Sequence, residues 1–116
     1  MTKVFWTAVI IGLFSFANVQ VVNAHPPKDV NISYDLAQQT LSVVITHKTT
    51  FTSRHYIESV TITKNGTILS TQEYTNQPKE SPFTYTYPIH AAAGDMIEVK
   101  ATCKIFGSKE AMIKVE

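Results

Sequence analysis

The chain has 116 residues, with 10 Lys and Arg against 9 Asp and Glu, which gives a formal net charge of +1. This near-neutral balance argues against a nucleic-acid-binding surface or a strongly charged partner. The length fits one small domain with a modest core. A single Cys cannot form a disulfide within the chain, so that residue is buried, free, bonded to another molecule or a metal ligand.

The N-terminal residues have the three-part layout of a secretory signal. Lys3 supplies a positive charge, residues 4–17 are largely apolar, and Val22-Asn23-Ala24 ends the more polar stretch that follows. The apolar run is about 14 residues long, which is shorter than the roughly 20 that span a bilayer as a helix. The layout therefore predicts a signal peptide over residues 1–24, with cleavage after Ala24.

Cleavage at this site would leave residues 25–116 as one periplasmic or secreted domain, free of the membrane, with His25 as its first residue. A retained leader would instead anchor the domain to a membrane. Intact-mass measurement on protein from the native host separates the two. We expect a chain that begins at His25, and a mass that retains residues 1–24 would contradict the export of a processed domain.

After the leader, the sequence alternates between short β-strand patterns and turns. The predicted strands are residues 30–34, 41–46, 56–63, 67–74, 83–87, 96–103 and 109–115. Lys64-Asn65-Gly66-Thr67 is the strongest turn signal, because Asn-Gly readily adopts positive φ angles. Strict alternation in the third strand puts Val60 and Ile62 on one face and Ile57 on the other. About seven short strands without a convincing helix predict an all-β fold, an immunoglobulin-like antiparallel β-sandwich.

Histidine and cysteine are the side chains here that suit a transition metal. The candidates are His25, His47, His55, His90 and Cys103. Because His47 ends one predicted strand, His55 begins the next and Cys103 ends a late strand, the three can meet at one pole of a sandwich. Imidazole and thiolate suit iron, copper or zinc and do not suit calcium or magnesium. His90 lies outside this pattern and is interpreted as a surface residue.

The order of these residues resembles the iron-binding domain of the superoxide reductases, the desulfoferrodoxin and neelaredoxin family. His25-Pro26-Pro27 is similar to the family's early His-Val-Pro, and His47 lies where its loop histidine belongs. His55-Tyr56-Ile57-Glu58 matches its His-Tyr-Ile-Glu segment, and Cys103-Lys104-Ile105-Phe106-Gly107 is similar to its late Cys-x-x-His-Gly. The resemblance covers about residues 25–108.

The resemblance implies a mononuclear iron site with His25, His47, His55 and Cys103 as metal ligands. Cys103 would be the axial thiolate and the catalytic residue of an oxidoreductase that reduces superoxide to peroxide. Its electron donor is not identified by the sequence. Thiolate donation in such a site pushes electron density toward the bound oxygen, as it does in haem–thiolate enzymes.

The sequence also departs from the family pattern. Phe106 stands where the family has its fourth histidine, and a phenyl ring cannot bind a metal. Lys48 follows His47 where the family has proline, and the lysine-bearing loop that assists superoxide in the enzymes has no counterpart. We expect Phe106 to pack beside Cys103 and to weaken iron binding, which makes a degenerate, non-catalytic relative one alternative. Copper or zinc then compete with iron for the site.

Two further functions fit the same residues. An exported copper-binding protein could chelate copper through the amine and ring of an N-terminal His25, together with His47 or His55. A metal-free interaction module would carry His47 and His55 as loop residues and Cys103 as a core thiol. Metal content after purification under reducing, chelator-free conditions separates these alternatives from the iron protein.

Overall fold

The structure, a computed structural model, describes residues 26–78 and 81–116, so His25 and the predicted leader lie outside the described residues. Its strands are β1 (Asp29–Asp35), β2 (Thr40–Thr46), β3 (Ile57–Lys64), β4 (Thr67–Glu73), β5 (Phe83–Pro88), β6 (Met96–Cys103) and β7 (Ser108–Lys114). They form two antiparallel sheets, in the orders β1-β2-β5 and β4-β3-β6-β7. The predicted β-sandwich is confirmed, and no predicted strand end is wrong by more than one residue. Over the described ranges, no helix is long and apolar enough to cross a membrane.

The core forms where apolar side chains alternate along the strands. In β2 the inward residues are Leu41, Val43 and Ile45, and none of the three is exposed to solvent. In β6 the same period of two buries Ile97, Val99, Ala101 and Cys103. Each buried Val, Leu or Ile side chain contributes about 1.5–3 kcal/mol to folding. The core alternation of β6 therefore ends on the thiol of Cys103, at one end of the sandwich.

Strand β3 breaks the strict alternation that its sequence predicts. Ile57, Val60 and Ile62 are all fully buried, and the pairing of β3 with β6 shifts register between Ile57 and Ser59. An extra residue at such a β-bulge lets side chains on both sides of it face the core. The prediction that Ile57 faces away from Val60 is therefore wrong. Since Ile57 pairs with Cys103, the bulge lies beside the cysteine.

An aromatic cluster packs against the core where the chain leaves β4. The rings of Tyr74 and Tyr85 stack with centroids 4.4 Å apart, and the hydroxyls of Tyr74 and Tyr87 are 2.8 Å apart. Burial raises the pKa of Tyr85 to about 12, and the neighbouring Tyr74 adds to the shift. Burial also raises the pKa of Tyr87. These contacts fix Tyr74, which begins the loop that reaches the candidate site.

Candidate metal centre

One end of the sandwich gathers the side chains of His47, His55 and Cys103, which we call the His–Cys cluster. One ligand atom of each residue, a ring nitrogen or the sulfur, lies within 4.8 Å of the other two. His47 is 1% exposed and Cys103 is 2% exposed, while His55 is half-buried. The two imidazole rings are perpendicular, with centroids 4.7 Å apart. The three side chains that the sequence puts at strand ends therefore do meet.

The strands explain why these side chains converge. His47 directly follows β2 and continues its inward alternation after Ile45. Cys103 is the last residue of β6 and continues the inward alternation of that strand. A tight turn brings His55 back to His47. In this turn the backbone N–H groups of Arg54 and His55 both donate to the Phe51 carbonyl at 2.9 Å. Two core strands and one turn thus aim the cluster inward.

A residue that the sequence analysis missed holds His47 in place. Gln77 lies in the loop after β4, yet it is only 3% exposed. Its Oε1 is 2.9 Å from His47 Nδ1 and accepts from the Ile57 N–H at 3.1 Å. Its Nε2 donates to the His47 carbonyl at 3.0 Å. No local pattern marks this residue, because glutamines in polar loops are ordinarily exposed.

The hairpin between β6 and β7 joins Cys103 to Gly107, and Gly107 packs closely against Pro26. The Cys103 N–H donates to the Gly107 carbonyl at 2.9 Å, which closes the loop over residues 104–106. Gly107 has a φ of +85°, and a Cβ added there would lie 2.8 Å from Pro26 Cβ and 3.0 Å from Pro26 Cα. Only a glycine lets the chain at Pro26 pass this close to the hairpin.

Phe106 is far more exposed than the cysteine beside which the sequence analysis expects it to pack. Its side chain is 59% exposed, whereas Cys103 is 2% exposed. The burial of Cys103 comes instead from its position in the core alternation of β6. The packing of Phe106 against the sulfur therefore stays a prediction, and its exposure limits how much water the ring can exclude.

A basic side chain neighbours every member of the cluster in the sequence. Lys48, Arg54 and Lys104, the basic collar, are all exposed. The Arg54 guanidinium lies 5.7 Å from the centroid of the Phe51 ring, and the Lys104 ammonium lies 5.9 Å from that of Tyr56. Residues 47–57 and 103–108 contain no Asp or Glu. These two stretches of the chain therefore carry a net positive charge, which favours the approach of small anions.

The donor set fits a single transition metal ion. Bonds of about 2.0–2.3 Å at tetrahedral angles put neighbouring ligand atoms about 3.3–3.8 Å apart. The spacing of up to 4.8 Å in the cluster needs an adjustment of about 1 Å to reach this geometry. Two imidazoles and a thiolate suit iron, copper or zinc. Three ligands also leave at least one coordination position for a further residue or a substrate.

Of the other two histidines, the structure describes only His90. His25 lies outside the described residues. His90 is exposed, and its Nδ1 is 3.1 Å from Gln39 Oε1 in the β1–β2 turn. That turn is at the opposite end of β2 from His47, so His90 stays apart from the cluster, as the sequence predicts.

The fold and the cluster together define a class of protein: a β-sandwich domain that gathers two histidines and a cysteine at one end. Among solved structures, the fold is similar to that of a superoxide reductase (neelaredoxin) from Ignicoccus hospitalis. The TM-score is 0.51 and the sequence identity 18%, over 88% of this chain and 91% of that chain. At this identity the similarity shows the fold alone. No family model and no curated protein matches the chain.

Proposed function

We propose that this chain is an exported, superoxide-reductase-like protein that binds one iron ion through His47, His55, Cys103 and His25. The observation that carries the proposal is the His–Cys cluster, whose ligand atoms lie within 4.8 Å of one another on a fold similar to that of a superoxide reductase. Export rests on the leader sequence alone. The electron donor is a reduced molecule or protein of unassigned identity.

The contact between Pro26 and Gly107 supports His25 as the fourth ligand. Pro26 N lies 3.1 Å from the position of a Cβ on Gly107, and His25 is the residue bonded to that nitrogen. Gly107 in turn accepts the backbone hydrogen bond of Cys103. The segment at Pro26 therefore lies against the hairpin that carries Cys103, which supports the proposal of His25 as the fourth ligand.

Each group of the chain would have a distinct role in the reaction. When bound, ferrous iron supplies one electron to superoxide, and two protons from solvent complete the formation of hydrogen peroxide. The basic collar attracts the superoxide anion to this end of the sandwich. Cys103 donates electron density as a thiolate, and its core position keeps water away from the sulfur. His47 and His55 fix the geometry of the centre as neutral nitrogen ligands.

The proposed function is tested on protein purified under reducing, chelator-free conditions and loaded with ferrous iron. We expect one iron per chain, a sulfur-to-iron charge-transfer band after oxidation, and consumption of superoxide that yields peroxide without oxygen. Cys103→Ala is the control. It should lose the band and most of the metal affinity, at a cost in folding stability of roughly 1–2 kcal/mol.

Other outcomes of the same experiment contradict the proposal. Retention of copper in preference to iron would assign a copper-binding protein instead, since two imidazoles and one thiolate also suit copper. A chain that binds no metal would leave the metal-free interaction module. Iron binding without superoxide reduction would indicate the degenerate relative that the sequence analysis also allows.

We further infer that Phe106 occupies the position of the family's fourth histidine. It lies in the loop that the Cys103–Gly107 hydrogen bond closes, in the order that the Cys-x-x-His-Gly motif requires. With a phenyl ring there, the site has one nitrogen donor fewer. We therefore expect ferrous iron to bind more weakly than it does in a site that keeps all four histidines.

A further inference from the structure

We propose that Gln77 is a positioning residue of the metal centre, which selects Nε2 of His47 as the metal-binding nitrogen. The inference rests on the proposed function in one respect only, that a metal binds at the His–Cys cluster. The tautomer of His47 that it predicts is a property of the metal-free protein. It is derived from hydrogen bonds whose donors and acceptors have fixed roles.

Hydrogen bonds hold the loop that carries Gln77 against β3 and against the turn that carries His55. Its first residue, Tyr74, donates its backbone N–H to the Glu58 carbonyl at 2.9 Å, and its ring stacks on Tyr85. The backbone N–H of Gln77 donates to the Thr52 carbonyl at 3.2 Å. Gln77 is thereby held between the start of β3 and the turn that carries His55.

Two backbone groups fix the orientation of the Gln77 amide. The Ile57 N–H can only donate, so the side-chain atom 3.1 Å from it is the oxygen Oε1. The His47 carbonyl can only accept, so the atom 3.0 Å from it is the nitrogen Nε2. The oxygen and nitrogen of the amide are thus assigned without any assumption about the imidazole ring.

The tautomer of His47 follows from that assignment. Because the atom 2.9 Å from His47 Nδ1 is an oxygen that cannot donate, Nδ1 must carry the proton. In the neutral ring the lone pair that can bind a metal then lies on Nε2. A carbonyl that accepts the other ring N–H also fixes the ring orientation and makes the metal-binding nitrogen a better donor.

Gln77 acts on the cysteine side of the cluster as well. The same Oε1 that holds His47 accepts from Ile57, and Ile57 pairs with Cys103 beside the β3 bulge. The buried amide of Gln77 therefore connects His47, at the end of β2, to Ile57, the residue of β3 that pairs with Cys103. Loss of the hydrogen-bond partner of a metal-binding histidine typically lowers metal affinity by about 10- to 100-fold.

The chain contains a matched control for the test. Gln39 makes the same kind of contacts at the other end of the sandwich. Its Oε1 is 3.1 Å from His90 Nδ1, and its Nε2 donates to the carbonyls of Leu36 at 3.1 Å and Ala91 at 3.0 Å. Gln39→Met removes a similar but more exposed set of hydrogen bonds far from the cluster, so it separates the loss of a stabilising amide from an effect on the metal site.

The test compares Gln77→Met, Gln77→Glu and Gln39→Met with the wild type. Nitrogen-15 NMR of the imidazole rings in the metal-free protein should show His47 protonated at Nδ1 in the wild type. In Gln77→Met we expect a mixture of tautomers, an affinity for ferrous iron about 10- to 100-fold lower by chelator competition, and a shifted charge-transfer band. Gln77→Glu should keep the Nδ1–H tautomer, because one carboxyl oxygen still accepts both hydrogen bonds of Oε1. It should recover only part of the affinity, since it has no N–H to donate to the His47 carbonyl. Gln39→Met should change neither.

Failure of this inference is distinct from failure of the proposed function. A wild-type His47 protonated at Nε2 would overturn the role of Gln77 whatever metal is bound. An affinity that falls equally in Gln77→Met and Gln39→Met would reduce Gln77 to a structural residue. If Gln77→Met does not fold, the tautomers of the wild type and Gln77→Glu still decide the question. A wild type with the expected tautomer that binds no metal would overturn the proposed function itself, together with the positioning role.

Discussion

Phe106→His should raise the affinity of the domain for ferrous iron on the order of 100-fold, because it would restore the nitrogen donor that the superoxide reductase motif has at this position. Phe106 is 59% exposed, so the substitution removes no core packing. Surface changes of this kind usually alter the free energy of unfolding by no more than about 0.5 kcal/mol. Chelator competition measures the affinity, and the intensity of the sulfur-to-iron charge-transfer band reports the completed ligand set.

The neighbouring residue provides the control for this variant. Ile105 lies in the same loop and is 53% exposed, so Ile105→His adds a histidine with similar exposure one position away. We expect no gain in affinity from Ile105→His. Equal gains from both variants would mean that any histidine in the hairpin helps. No change from Phe106→His would show that residues 103–107 do not correspond to the family's Cys-x-x-His-Gly motif.

The fold could be predicted from the sequence because the patterns that determine it, strand alternation and turn residues, are local. Alternating apolar residues in β2 and β6 define one buried face each, and the Asn65-Gly66 turn joins β3 to β4 with both residues at positive φ. The convergence of His47, His55 and Cys103 also follows from local patterns, since all three stand at or beside strand ends. What the sequence could not specify is how closely strand ends approach one another.

The features that the sequence analysis missed depend on contacts between distant segments. Gln77 reaches a histidine 30 positions away in the chain, and nothing in its own segment indicates a buried amide. The bulge in β3 exists only relative to β6, so the face of Ile57 could not be read from alternation alone. The exposure of Phe106 depends on the hairpin conformation that Gly107 completes. Each of these features needs a partner that local patterns do not reveal.

The charge distribution at this end of the sandwich depends both on local sequence and on contacts between distant segments. Two core strands and one turn hold the His–Cys cluster, whereas Lys48, Arg54 and Lys104 directly neighbour its members in the chain and are exposed to solvent. A buried donor set beneath an exposed positive rim suits a small anion that must approach a metal and leave again.

Gly107→Ala should both destabilise the domain and weaken its metal binding. A φ of +85° is strained for any residue with a Cβ, at a cost of about 1–2 kcal/mol. The new methyl group would also lie 2.8 Å from Pro26 Cβ and 3.1 Å from Pro26 N, so the N-terminal segment has to move away. We therefore expect the free energy of unfolding to fall by about 2–3 kcal/mol in denaturant titrations of the metal-free protein.

Gly66→Ala isolates the contribution of the contact with Pro26. Gly66 has the same φ of +85°, but a Cβ added there meets nothing within 4 Å, so this variant carries the backbone strain alone. We expect it to lose about 1–2 kcal/mol and to keep its affinity for ferrous iron. Gly107→Ala should lose about 10-fold or more in affinity, because its clash moves Pro26, to which the proposed ligand His25 is bonded. Equal destabilisation of the two variants would mean that Pro26 gives way without cost. Unchanged affinity in a destabilised Gly107→Ala would remove His25 from the ligand set and leave His47, His55 and Cys103 to hold the metal.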